Sequence, residues 1–334
     1  MIISRTPFRI SFFGGGTDYP VWYKDNGGAV LATTINKYCY ITSRYLPPFF
    51  EHKSRIVYSL IENVKKISDI RHPAARACLE FMNIKSGVEI HHDGDLPAKS
   101  GLGSSSSFTV GLLHALYALN GKMPTKRQLA LDAIHVEQDR LNENVGSQDQ
   151  VLAAFGGFNV IKFGGKDHFQ VTPVTLDHQR LDNFQSHLML FFTGFSRFAS
   201  DIAAEQIKKT PHRKKELRLM LQMLDKALGV LKGEGDLSEF GKILHENWKI
   251  KRSLTDKIST PAIDEIYSAA VKAGALGGKL LGAGGGGFIL FFARPEAQAA
   301  VRKKLKKLLY VPLRLENSGS QIIFYSPAGN ISET

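Results

Sequence analysis

The chain has 334 residues, 43% of them hydrophobic, and a formal net charge of +12, long enough for a large core and for two domains. No stretch approaches the roughly 18 apolar residues of a membrane helix, and the opening MIISRTPFRISFF lacks the layout of a secretion signal. Cys39 and Cys78 stand far apart and outside any CxxC, which argues against structural zinc and for a reducing, cytoplasmic setting. A basic balance admits nucleic acid, anionic surfaces or small phosphorylated ligands. The densest basic run, KKTPHRKKELR at 208–218, has no interleaved aromatics and reads as a solvated helix face, so neither nucleic acid nor a membrane is expected as a partner.

Short alternating runs at 8–13, 38–46, 55–60 and 87–92 predict strands of a largely antiparallel sheet. A helix then starts in the serines after Gly103 and stops at Asn120-Gly121. Another opens at Thr125, with Gln128 completing a capping box, and runs to about Leu141. Strands follow at 158–163, 169–174 and 187–194, then helical periodicity from about 200 to 273. A glycine loop, a strand at 288–293, a helix over 295–308 and two short strands between 310 and 325 complete the pattern. This is the α+β class in two lobes. An N-terminal domain over 1–180, mainly antiparallel sheet with helices, precedes a C-terminal α/β domain over 181–334 that carries the glycine loop 282–287. The boundary falls within 165–195.

LPAKSGLGSSSSF (96–108) asks for more explanation than a helix cap, which needs one serine rather than four. Gly101 and Gly103 ahead of Ser104–Ser107 direct N–H and O–H groups at something anionic. Neither familiar phosphate loop fits: a dinucleotide fingerprint needs glycine where Ser106 stands, and a Walker A reading around Gly278-Lys279 fails at Ala273 and Leu280. Phosphate binding still follows from close backbone approach at glycine and from the partial positive charge of a helix start. A serine in that first turn can also reach a magnesium ion bridging two phosphates. The alternative is an elaborate cap. GAGGGG (282–287) is too costly in chain entropy for an ordinary turn, so either a ligand or the first loop approaches it. PFRISFFGGGTDYP (7–20) is a strand ending in Gly14, Gly15 and Gly16, followed by Thr17 and Asp18.

Several single residues attract attention. Glu137 shares a helical face with Ala130, Ala133, Ile134 and Leu141, where a carboxylate needs a partner, in the plainest reading an Arg or Lys in an internal ion pair. Asp149 sits in a helix start where Ser147 and Gln150 form a capping box. Arg197, after a strand end, and Lys99, before the serine loop, are candidate anion contacts. His91-His92-Asp93 is a poor metal site, because neighbours on a strand face opposite ways.

Pro7-Phe8-Arg9-Ile10 with GGGTDY, then GLGSSSS, then GAGGGG, in this order and spacing, resemble the three motifs of the GHMP kinases, over the chain from Pro7 to about Phe292. Where galactokinases have Gly-Glu-His-Thr-Asp-Tyr, this chain has GGGTDY, which is similar to the branch of heptose 7-phosphate kinases and fucokinase-type enzymes. The resemblance implies a two-lobed GHMP fold and an ATP- and Mg2+-dependent kinase with a small-molecule acceptor. The implied step is γ-phosphoryl transfer to the anomeric hydroxyl of a heptose 7-phosphate, toward activated heptose for a surface glycan. It implies that Lys99, Ser100, Gly101, Leu102, Gly103, Ser104, Ser105 and Ser106, with Gly284 and Gly285, surround the nucleotide. Ser105 and Glu137 would ligate magnesium. GSQDQ resembles the galactokinase-type GxxDQ, making Asp149 the base; Arg9 would pair with it and offset transition-state charge. Gly15, Gly16, Thr17, Asp18 and Arg197 would meet the sugar. Other acceptors of the same fold, namely fucose, a galactose-like sugar or a mevalonate-type alcohol, stay open, as do a non-catalytic metabolite-binding relative and the choice of monomer or dimer.

Overall fold

β1 (Ile2–Phe13) and β2 (Gly28–Tyr45) pair antiparallel from Ile2 opposite Ser43 to Phe13 opposite Leu31, a long ribbon on which the site is built. The computed structural model describes residues 1–85, 87–98, 100–165, 168–194 and 199–327; Lys99 and Arg197 lie outside them. Five strands follow: β3 (Ser54–Val57), β4 (Ile61–Val64), β5 (Val88–Gly94), β6 (Phe158–Phe163) and β7 (Phe169–Pro173). The end of β2 carries β5 and its beginning carries β6; β3 and β4 extend beyond β5, and β7 beyond β6. The β3–β5 pair is parallel and the others antiparallel, as the alternating pattern predicts.

A second sheet holds β8 (Leu188–Gly194), β9 (Ala275–Leu280), β10 (Gly287–Ala293) and β11 (Leu309–Val311), antiparallel in the order β11-β8-β10-β9. β10 is buried at every residue, which its unbroken apolar run requires. After β11 the chain crosses back. β12 (Leu315–Glu316) joins β2, and β13 (Gln321–Tyr325) joins β1 along Ile2–Arg5. Three short strands therefore stand where two are expected, and the last two belong with the first sheet rather than with a C-terminal domain over 181–334. β13 covers an edge of β1 that would otherwise expose unpaired backbone groups.

The helix Ser104–Leu119 lies on β1 and β2, with Ser4 Oγ donating to the Gly111 carbonyl at 2.7 Å. It ends at Asn120-Gly121 as expected. The helix expected over 125–141 is α-helical from Lys126 to Ile134 and then widens into a π turn, His135–Arg140. Thr125 accepts the Gln128 N–H at 3.1 Å, but the Gln128 amide turns to Asp132, leaving the box half closed. In the second half, Lys214–Lys232 packs on Ser238–Ser253, which covers β9. The first of these buries Leu217, Met220, Leu224, Ala227 and Leu231 at spacings of three and four. Its basic N-terminal run is largely exposed, as a solvated face should be. The helix expected over 295–308 is shorter, Gln298–Lys304.

Phe12 of β1, Phe184, Phe240 and Phe292 of β10 form one fully buried aromatic cluster, with Phe12–Phe240 and Phe184–Phe240 edge-on at 5.7 and 5.0 Å. Such contacts contribute beyond their buried area, and here they tie the two sheets together beneath the cleft. Among the described residues no helix is long and apolar enough to cross a membrane, and no three His, Cys, Asp or Glu side chains converge on a metal position.

Candidate active site

The site begins where β1 ends. Pro7 cannot donate to a ladder, and the β1–β2 register slips between Pro7 and Phe8. Just beyond, Arg9 N–H donates to the Leu102 carbonyl at 3.1 Å, fixing the serine loop to the strand. The Arg9 side chain is buried and grips Asp149 with two bonds of 2.7 Å, Nε to Oδ1 and Nη2 to Oδ2, while Nη1 donates to the Gly101 carbonyl at 2.6 Å. Two parallel charge-assisted bonds fix the angle of the carboxylate as well as its position. Asp149 remains 22% exposed at the side chain, so its outer face meets the cleft. The expected Ser147 cap is absent: Ser147 Oγ is engaged by Tyr23 and Gln138 instead.

The four serines divide their work. Gly103 occupies the cap position in the left-handed region (φ 77°), so no serine caps the helix. Ser104 and Ser105 face the cleft. Ser106 and Ser107 are buried: Ser106 Oγ donates to Glu137 Oε2 at 2.8 Å and Ser107 Oγ to the Pro7 carbonyl at 3.0 Å. Ser100 and Leu102 are also buried and act through backbone, the Ser100 carbonyl accepting Phe288 N–H at 3.1 Å. That bond answers what approaches the glycine loop. A Cβ on Gly282 would stand 2.6 Å from Gly101 Cα, and one on Gly287 2.2 Å from the Ser100 carbonyl oxygen. The first loop itself is what needs the room. Gly284 and Gly285 lie away from the cleft lining, against Ile258, whose carbonyl accepts Gly285 N–H at 3.0 Å.

Glu137 is fully buried in the π turn, a conformation often found at functional sites. Ser106 and Gln150 donate to its Oε2, so hydrogen bonds rather than an ion pair hold it. Burial, then the nearby charge of Glu143, push its carboxyl up to about 7. Its Oε1 makes no hydrogen bond of ordinary geometry among the described residues, although the Thr109 hydroxyl lies near enough to favour the charged form. The hydroxyl touching Glu137 is that of Ser106, one position past the expected Ser105.

The glycine turn after β1 builds the other wall. Asp18 is buried, accepts Gly16 N–H at 2.8 Å, and has its carboxyl pushed up by burial. Gly146 is its tight neighbour: a Cβ there would fall 1.9 Å from Asp18 Oδ2. Thr17 is structural, donating to the Gly14 carbonyl at 2.8 Å from outside the cleft. Arg9, Gly15, Gly16, Asp18, Gly101, Gly103, Ser104, Ser105 and Asp149 thus converge on one cleft of about 570 Å³, a size that suits a small ligand. The sequence reading missed Lys251, Lys279, Glu143 and Gln148, which line the same cleft. For Lys251 a signal existed: it continues the buried helical stripe Leu244, Asn247, Trp248, the same anomaly that marks Glu137. Lys279, between glycines and leucines on β9, carries no comparable signal.

Comparison with known proteins agrees with this geometry. Residues 64–157 match the GHMP kinases N terminal domain and residues 220–311 the GHMP kinases C terminal domain, together more than half the chain. This chain belongs to the GHMP kinases, a family of phosphotransferases. It is 28% identical over 320 residues, 92% of this chain and 93% of the other, to the D-glycero-alpha-D-manno-heptose 7-phosphate kinase of Campylobacter jejuni. It is 26% identical to the L-fucokinase/L-fucose-1-P guanylyltransferase of Bacteroides fragilis over 96% of this chain but 38% of that larger one. A crystal structure described as a D-glycero-D-manno-heptose 1-phosphate kinase from Bacteroides thetaiotaomicron superposes with a TM-score of 0.72 at 25% identity, covering 98% of this chain and all of that one.

Proposed function

We propose that this kinase uses ATP and magnesium to phosphorylate a sugar hydroxyl, most specifically the anomeric O1 of D-glycero-D-manno-heptose 7-phosphate. The observation that carries the reading is the Arg9–Asp149 pair, opening onto a cleft lined also by a serine-bearing helix start and by Asp18. In phosphoryl transfer the protein's work is positioning and electrostatics. Both Asp149 oxygens are committed to Arg9, yet each carboxylate oxygen keeps a further lone pair. The cleft-facing side of Asp149 can therefore accept the acceptor hydroxyl proton while Arg9 holds the carboxylate in line. The backbone N–H groups in the first turn of the helix Ser104–Leu119 are suited to donating to nucleotide phosphates, and Asp18 is suited to orienting sugar hydroxyls.

The donors near the loop suit magnesium, which takes hard oxygens and favours one or two carboxylates plus phosphates over an all-protein cage. Glu137, with its orphan Oε1, Glu143 and the Ser105 hydroxyl are the residues that would hold it. When bound, the ion would supply positive charge that offsets the charge of the phosphates.

The acceptor assignment rests on the Campylobacter relative, the heptose 1-phosphate kinase named for the Bacteroides structure setting a rival position for the substrate phosphate. The test is kcat/KM with ATP for heptose 7-phosphate, heptose 1-phosphate, free heptose, fucose and galactose. Heptose 7-phosphate should exceed every other acceptor at least tenfold. Equal or better use of a neutral sugar would remove the heptose phosphate assignment and leave a sugar kinase.

A further inference from the structure

Two buried ammonium groups line the cleft, and among the described residues neither has a carboxylate at ion-pair distance. Lys251 Nζ donates to the Gly15 carbonyl at 3.2 Å and to Gln206 Oε1 at 3.0 Å, and Lys279 Nζ donates to the Phe12 carbonyl at 3.1 Å. Both line the cleft, each about 5% exposed, and no carboxylate oxygen of the described residues lies within ion-pair distance, 4.0 Å, of either. Burial pushes Lys251 down to about 8 and Lys279 to about 7. Asp18 is close enough to Lys251 to favour its charged form, but its own carboxyl is pushed toward neutrality by burial and so compensates only in part. A buried cation without a counter-charge is expensive to keep.

Beside Lys251 the Gln206 Nε2 amide, on a residue 2% exposed, donates to nothing among the described residues. Gly16 leaves the space it occupies, since a Cβ on Gly16 would stand 2.6 Å from that nitrogen. Three donor groups therefore sit together around the sugar-side turn: a spare N–H of Lys251, the amide of Gln206 and, beside them, Lys279. Neutral hydroxyl recognition needs no such excess of buried positive charge. A phosphoryl group does, because it supplies both negative charge and several acceptor oxygens.

We propose that Lys251 and Gln206 form the subsite for the phosphate that the acceptor already carries, with Lys279 adding positive charge behind them. This rests on the reading of the acceptor as a sugar phosphate. The other source of the same chemistry is the nucleotide's own phosphate chain. The acceptor is favoured because Lys251 is anchored to Gly15 and adjoins Asp18, in the turn proposed to meet the sugar.

The experiment uses the intact enzyme and three forms: wild type, Lys251→Met and Gln206→Glu, the last placing a carboxylate where a phosphate would come. Both variants should raise the KM for the phosphorylated acceptor at least tenfold, leave the KM for ATP within about twofold, and erase most of the preference for phosphorylated over free sugar. A rise confined to the ATP KM would assign the lysine to the nucleotide and overturn the proposal, as would an unchanged preference. Inorganic phosphate is then titrated calorimetrically into each form saturated with Mg-ADP, which fills the serine loop. Phosphate should bind wild type and fail to bind both variants. If wild type used no heptose phosphate but still bound phosphate in this way, the acceptor assignment would fall and the subsite would stand; equal binding by all three forms would overturn the subsite. Melting temperatures separate a structural role. Lys251→Met should melt at or above the wild-type temperature, whereas a drop of several degrees with preference intact would make Lys251 a packing residue.

Discussion

The two walls of the cleft handle charge in opposite ways. On one, Arg9 and Asp149 neutralise each other through two short bonds and are fixed before any ligand arrives. On the other, Lys251, Lys279 and Asp18 are buried with their charges only partly compensated, and Glu137 keeps one oxygen without a hydrogen bond among the described residues. The first arrangement is what a reacting group needs, because catalysis gains from groups that do not reorganise during reaction. The second is what binding needs, because a ligand that supplies the missing charge gains the energy left unspent in the empty protein. A paired site is therefore expected to betray itself in turnover, and an unpaired one in affinity and in stability against pH.

The largest expected effect tests the paired wall. Asp149→Asn keeps the shape and removes the proposed base, so kcat should fall roughly 10²–10⁴-fold while the ATP KM and the melting temperature stay near wild type. Loss of only a few-fold would make Asp149 a partner for Arg9 and nothing more.

Glu137 tests the unpaired side through pH. Its carboxyl sits at about 7 in the folded protein against an ordinary 4.5. Between those values the native state holds a proton that the unfolded chain has released, so native stability falls as pH rises from 4.5 to 7, by roughly 3 kcal/mol at most. Melting curves of the ligand-free protein across pH 5–7.5 should show this fall in wild type and a much flatter course in Glu137→Gln. The lysines run the other way: Lys251 and Lys279 lose their protons at about 8 and 7, before the unfolded chain does, so stability from these two rises with pH up to their ordinary 10.5. Parallel curves for wild type and Glu137→Gln would mean that the carboxyl is not held neutral.

Gly282→Ala attacks the contact between the two loops, in a backbone region (φ 80°) that side chains disfavour and against the backbone of Gly101. A loss of roughly 1–3 kcal/mol in unfolding free energy is expected, with kcat/KM for ATP falling more than the acceptor KM rises. Wild-type behaviour in both would show that the loops can separate freely. The smallest effect separates the serines. Ser106→Ala should cost about 1 kcal/mol of stability by leaving Glu137 one donor short, whereas exposed Ser105→Ala should change stability by less than 0.5 kcal/mol and raise the magnesium concentration needed for half-maximal rate. Reversed outcomes would exchange the two roles.

How much of this was readable in advance follows the same division. Arg9, Asp18 and Asp149 sit in or beside glycine-rich turns and short motifs, where the residue types announce close approach to a ligand, and the structure brings all three to one cleft. The strands of the first sheet were legible from their alternation. Ser147 and Gln150 formed a plausible capping box on spacing alone, but Gln150 is spent on Glu137, a contact 13 positions away that local spacing cannot report. Lys251 was missed although its place on a buried stripe was visible, because lysines on helices are normally taken to reach solvent. The return of β12 and β13 to the first sheet could not be read at all: nothing in a five-residue strand names a partner more than 300 positions earlier.

That return has a consequence for how the protein is made. As the chain leaves the ribosome, β1 with Arg9 emerges before every other strand described, while the strand that shields the edge of β1 is synthesised after all of them. Until then Ile2–Arg5 present an open edge to any passing strand. The ribbon of β1 and β2 can form early, but closure across so large a separation in sequence is slow. The newborn chain thus passes through a stage with Arg9 already in the sheet and β1 still unguarded.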